Sequence, residues 1–154
     1  MTLVVEIPGA GTLRLDHLLL DVNGTLTDRG SAIEGVAERL ERVAEIFEVQ
    51  LLSADTFGTL SALAGGLGVD ATQVSSGDEK RAVVTELGAD RCAAIGNGAN
   101  DAGMLEAAAL GIAVIGPEGV AGAAVRSADV VCTSILDALD LLLDERALVA
   151  TLRT

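Results

Sequence analysis

The 154 residues carry a formal charge of −13, with ten Lys and Arg against 23 Asp and Glu, and half of them are apolar. Such a chain can bury a sizeable single core, but it lacks the clustered basic surface that a nucleic-acid backbone or an anionic membrane requires. Nowhere do eighteen apolar residues run together, and no basic leader precedes a long apolar stretch; neither secretion nor membrane insertion is indicated, and a cytoplasmic setting is the expectation.

Leu3–Ile7 and Thr12–Leu15 alternate apolar with polar side chains around Pro8-Gly9-Ala10-Gly11, which predicts a hairpin added to the edge of a sheet. Leu18-Leu19-Leu20 then reads as a strand buried on both faces. Val36, Leu40, Val43, Ala44 and Phe47 recur at helical spacing, with Glu38, Arg39, Glu41, Arg42 and Glu45 opposite, so a helix is predicted over 36–47. Strands follow near 49–52, 72–74, 92–95, 111–115 and 129–132, with helices near 59–67, 78–87, 100–108 and 120–125 and a closing helix from about Ser134. Strands alternating with helices predict an α/β chain, a Rossmann-like parallel sheet covered on both faces. Phe47 and Phe57 are the only aromatic residues, so its core is built from Val, Leu, Ile and Ala. Cys92 and Cys132 fall in predicted strands and make neither a disulfide framework nor a zinc spacing.

Four polar clusters sit where such a sheet presents its strand ends. The apolar run stops abruptly in Asp21-Val22-Asn23-Gly24-Thr25-Leu26-Thr27, which places a carboxylate where open parallel sheets bind ligands; Gly24 there lets the backbone turn and approach a ligand. Ser53 ends the second central strand with a hydroxyl able to donate to a phosphate or to cap a turn. Lys80 lies near the start of a predicted helix, where a cation opposes the helix dipole unless an anion holds it. Gly96-Asn97-Gly98-Ala99-Asn100-Asp101 follows a strand with oxygens suited to a hard cation.

In this order the four clusters resemble the motifs of the haloacid dehalogenase-like phosphotransferases, over about His17 to Leu142. The Asp-x-x-Gly-Thr-Leu-Thr form and the Gly-x-Gly-x-Asn-Asp loop are most similar to the phosphorylation domain of P-type ATPases and its small soluble relatives. The resemblance implies a Rossmann-like fold, dependence on Mg²⁺, and a phosphorylated Asp21. It places Mg²⁺ among Asp21, the Asn23 carbonyl and Asn97, supported by Asp101. Lys80 is implied to neutralise Asp21 and the phosphoryl group, while Ser53, Thr25 and the loop amides at Gly24 hold its oxygens.

Two residues depart from the family pattern. Asn23 stands where the phosphatases carry an acid–base aspartate, and an amide has no proton to exchange near neutral pH, so slow turnover is expected. Asn97 stands where an aspartate usually binds the metal, and an uncharged oxygen lowers affinity. Only 25 residues separate Thr27 from Ser53 and 26 separate Ser53 from Lys80, so residues 1–154 are expected to form one capless domain, a hairpin over 1–15 and a core over 16–154. By resemblance, a capless site is closed by a second copy of the chain or stays open to larger phosphorylated molecules. The expected function is a soluble phosphatase acting on a small phosphorylated metabolite or a phosphoprotein; the alternative is a catalytically weak or inactive regulatory or interaction module that binds Mg²⁺ and phosphate.

Overall fold

Six parallel strands form the centre of the molecule: β3 (His17–Asp21), β6 (Glu48–Ser53), β7 (Asp70–Gln73), β8 (Cys92–Gly96), β9 (Leu110–Val114) and β10 (Val130–Cys132), in the order β10-β9-β8-β3-β6-β7. The computed structural model describes residues 1–154, apart from the side chain of Phe57. The chain moves outward from β3 through β6 to β7, then crosses back to β8 and continues outward the other way. A crevice therefore opens beside β3 at the carboxyl ends of the strands, where the winding direction reverses.

Strand alternation explains how both faces of this sheet are filled. Leu18 and Leu20 of β3 join a core with Val36, Leu40 and Val43 of α1 (Val36–Val43), Leu60 and Ala64 of α2 (Phe57–Leu67), and Ile135 and Leu139 of α6 (Ile135–Leu143). Leu19 points the other way, into a core with Val84 of α3 (Gly77–Leu87), Met104 and Leu105 of α4 (Ala102–Ala107), and Ala124 of α5 (Gly122–Ser127). Asp21, two residues after Leu19, shares Leu19's face. The same alternation that buries the strand thus aims its terminal carboxylate at the helix carrying Lys80.

Four details differ from the sequence reading. β1 (Leu3–Ile7) and β2 (Gly11–Leu15) pair antiparallel as expected, but they form their own two-stranded sheet and do not extend the central one. Val5, Ile7 and Leu15 reach the main core, and β1 packs on α7 (Glu145–Leu152), a surface that sequence periodicity does not reveal. The predicted closing helix is two helices, because Asp144 takes an extended backbone and caps α7 by accepting the Ala147 N–H at 3.1 Å. Helix α1 stops at Val43; Phe47 is still buried, its N–H bonded to the Val43 carbonyl at 2.8 Å through turns. A small hairpin, β4 (Thr27–Asp28) and β5 (Ser31–Ala32), follows the Asp21 turn unpredicted. Between Thr27 and Lys80 there is otherwise only α1, β6, α2 and β7, so no cap is inserted there. Among the described residues no helix is long and apolar enough to cross a membrane.

Candidate active site

After Asp21 the chain wraps around one carbonyl. The oxygen of Val22 accepts the backbone N–H groups of Thr25, Leu26 and Thr27 at 3.1, 2.9 and 3.2 Å. This turn needs Gly24, whose φ of +75° disfavours any side chain and whose Cβ would stand 2.5 Å from Oε2 of Glu118. The turn brings the Thr25 hydroxyl back over the strand end, 2.9 Å from Oδ2 of Asp21 and 3.1 Å from Oδ1 of Asn97.

Lys80 reaches the same point from the opposite element. Ser76 caps α3 by accepting the Glu79 N–H, and Glu79 in turn accepts the N–H and hydroxyl of Ser75, so the first turn of this helix is fixed. One turn on, the Lys80 ammonium donates to Oδ1 of Asp21 at 2.7 Å and to Oδ1 of Asp101 at 2.8 Å. These anions resolve the unfavourable position against the helix dipole. The other oxygen of Asp101 accepts the backbone N–H groups of Asn97 and Gly98 at 3.1 and 2.9 Å. Asp101 is therefore fully engaged in holding Lys80 and the loop. Gly96 permits this, since a Cβ there would lie 2.5 Å from the Asp101 carboxyl.

Asp21, Lys80 and Asp101 are 7%, 3% and 0% exposed, which makes their charges costly and mutually dependent. Burial first, and then the neighbouring Asp101 charge, push the Asp21 carboxyl up to about 6, with Lys80 and Thr25 only partly offsetting them. Burial alone would lower the Lys80 ammonium, but the two carboxylates outweigh it and raise it. Lys80 is consequently charged at any physiological pH, whereas Asp21 is ionised only above about pH 6.

Ser53 is buried at the end of β6, whose Leu52 lies in register with Asp21. Its oxygen accepts the Asp55 N–H at 3.1 Å, which leaves the hydroxyl hydrogen available to a phosphate oxygen. Asn23 is exposed at the mouth, and its amide donates to Oδ1 of Asp55 at 3.0 Å. The structure thus gathers Asp21, Gly24, Thr25, Ser53, Lys80, Asn97 and Asp101 at one end of the sheet, with Asn23 at its rim. Sequence reasoning missed two carboxylates there, Asp55 and Glu118. Asp55 follows Ser53 by two residues and was open to notice; Glu118 comes from a loop with no local signature.

The donor set fits a hard cation. Asp21 Oδ2 and Asn97 Oδ1 converge on a single hydroxyl hydrogen, that of Thr25, so acceptor capacity is left over between them. The orientation of the Asn97 amide is set by its NH₂, which donates to the Gly119 carbonyl at 3.2 Å. Among the described residues, however, no three His, Cys, Asp or Glu side chains gather as a metal cluster. One carboxylate with neutral oxygens suits Mg²⁺, which keeps several waters and takes phosphate oxygens as ligands.

The solved structure of a zinc-transporting PIB-type ATPase is 25% identical, with 78% of this chain matching 20% of that one at a TM-score of 0.66. The 3-deoxy-D-manno-octulosonate 8-phosphate phosphatase of Moraxella catarrhalis, solved with magnesium, phosphate and a KDO molecule, is 20% identical, with 90% and 94% of the two chains covered at a TM-score of 0.65. The chain carries the haloacid dehalogenase-like fold, without a cap. The reversal beside β3 and the strand end at Asp21 lie within that fold. Two proteins of Methanocaldococcus jannaschii, both uncharacterized, are similar in sequence. MJ0073 is 55% identical over 60 residues, 39% of this chain and 64% of that protein's length. MJ0072 is 51% identical over 39 residues, 25% of this chain and 89% of that protein, and the chain belongs to the same family as it. No family model matches the chain.

Proposed function

We propose that the protein is a Mg²⁺-dependent phosphatase that works through an aspartyl-phosphate on Asp21. The observation that carries this is the buried Asp21 carboxylate at the crevice of the sheet with the Lys80 ammonium 2.7 Å from it. An oxygen of Asp21 attacks phosphorus as the bond to the leaving oxygen breaks, and that oxygen takes a proton from solvent; water then attacks the acyl phosphate, losing its proton to solvent, so that inorganic phosphate leaves and the Asp21 carboxylate re-forms. Lys80 holds charge that develops on the transferring group, and Ser53 and Thr25 orient its oxygens, so the catalysis is positioning and electrostatics. Bound among Asp21, the Asn23 carbonyl and Asn97, Mg²⁺ would supply the remaining positive charge. Asp101 acts by fixing Lys80 and the loop.

Asn23 supplies no proton, and acid–base groups contribute about 10²–10⁴-fold, so turnover is slow. We take residues 1–154 as one domain in the cytoplasm, with a small phosphorylated metabolite or a phosphoprotein as substrate and closure of the site by a second copy as one way to exclude water.

The test is hydrolysis of p-nitrophenyl phosphate with increasing Mg²⁺, alongside binding of Mn²⁺ followed by its electron spin resonance. Chelation should abolish hydrolysis. Asn97→Asp should restore a charged ligand and lower the half-saturating concentration of either metal roughly tenfold, the order of one added unit charge in a partly solvated site. Hydrolysis indifferent to chelator, or an unchanged metal affinity in that variant, would place the cation elsewhere.

A further inference from the structure

Two carboxylates that the mechanism does not use, Asp55 and Glu118, border the turn on which the reaction depends. We propose that the site selects phosphomonoesters whose leaving group is uncharged or cationic, and that Asp55 and Glu118 impose the selection. This rests on the phosphatase reading above.

Asp55 is held by the Asn23 amide at 3.0 Å, so its charge stands at the exposed residue two past the nucleophile. Glu118 reaches the same turn from the 116–119 loop, with Oε2 2.5 Å from where a Cβ of Gly24 would lie. The loop is anchored to the site: the Asn97 amide donates to the Gly119 carbonyl, and the Ala121 N–H donates to the Asn97 carbonyl at 2.8 Å. Glu118 is thus presented to the turn by the same contacts that fix Asn97.

Among the described residues neither carboxylate forms an ion pair. Lys80 lies beneath and is taken by Asp21 and Asp101. The β4–β5 hairpin that follows the turn carries one charge of each sign, Asp28 and Arg29. Arg81 is paired with Glu106 at 3.2 Å. A transferring phosphoryl group is compensated inside by Lys80 and the metal, but the leaving group remains at the mouth with the uncompensated carboxylates. A carboxylate or second phosphate on it is repelled, and an ammonium is attracted.

Three substrates of similar size test this: phosphoethanolamine, glycerol 3-phosphate and 3-phosphoglycerate, whose leaving groups are cationic, neutral and anionic. Wild type should show kcat/KM falling in that order, mainly through KM. Glu118→Gln and Asp55→Asn keep the shape of each side chain, and the second leaves an oxygen for Asn23. Each should lower the ratio of phosphoethanolamine to 3-phosphoglycerate about tenfold, the order expected for a unit charge a few ångströms away at a partly solvated mouth. Added salt should compress the ratio in wild type and leave the double variant almost unchanged. An unchanged ratio in the double variant, or preference of wild type for 3-phosphoglycerate, overturns the inference. Phosphorylation of wild type by acetyl phosphate with no turnover of the three substrates overturns it and leaves the aspartyl-phosphate standing; absence of both removes both.

Discussion

Asp21→Asn should abolish incorporation of phosphate from acetyl phosphate and lower steady-state hydrolysis by about 10⁴-fold or more, because the amide oxygen is not a nucleophile and nothing else in the crevice replaces it. The variant should fold. Its amide oxygen can still accept from Lys80, now 2.7 Å from Oδ1, while its NH₂ faces Thr25, whose hydroxyl can turn its hydrogen to Oδ1 of Asn97 at 3.1 Å and accept instead. Removing one of two carboxylates that face a single ammonium also relieves the repulsion by Asp101 that helps to raise the Asp21 pKa. A melting temperature equal to or above that of wild type near neutral pH is therefore expected together with the loss of chemistry. Acid-quenched phosphoprotein and fluorine NMR of beryllium fluoride with Mg²⁺ read the two states of the nucleophile directly. Full labelling of the variant would move the reaction centre to another residue.

The features legible in the sequence were those whose cause is local. The apolar run Leu18–Leu20 must be covered on both faces, and the abrupt change at Asp21 marks the end of that strand. Lys80 was suggestive because its place at a helix start is unfavourable without an anion, and the structure supplies Asp21 and Asp101. What stayed hidden is tertiary. Nothing local says that Val5 and Ile7 pack toward a helix at the other end of the chain, since a half-buried hairpin has the same alternation in either setting. Asp144 breaks the closing helix because its side chain satisfies the Ala147 N–H, a choice that periodicity does not record. Glu118 became part of the site only through the loop hydrogen bonds to Asn97.

Lys80→Met should be the most destabilising single change in the site, by about 3–5 kcal/mol at pH 7.5, because it leaves two buried carboxylates with their shared cation gone. Methionine fills much the same volume with an apolar chain, so little of the loss is a cavity. The Asp21 and Asp101 oxygens that both bonded one nitrogen stand no farther apart than two hydrogen bonds, and burial strengthens their repulsion. The pH dependence identifies this cause. Asp21 already titrates near 6 when folded against a reference of 3.8, so between those values the folded state holds a proton that the unfolded state has released. Stability of wild type therefore falls as pH rises through that window, by up to about 3 kcal/mol for a shift of this size, and levels off above it. Without the ammonium the folded carboxyl rises further, the window extends above 6, and the decline continues toward neutral pH. Urea unfolding at pH 5 and pH 7.5 should accordingly show a small gap between variant and wild type at the lower pH and a large one at the higher. Saturating Mg²⁺ at pH 7.5 should return part of the difference, since a cation beside Asp21 replaces some of the lost charge. A gap of equal size at both pH values would assign the loss to packing and remove Lys80 as the counter-charge of the nucleophile.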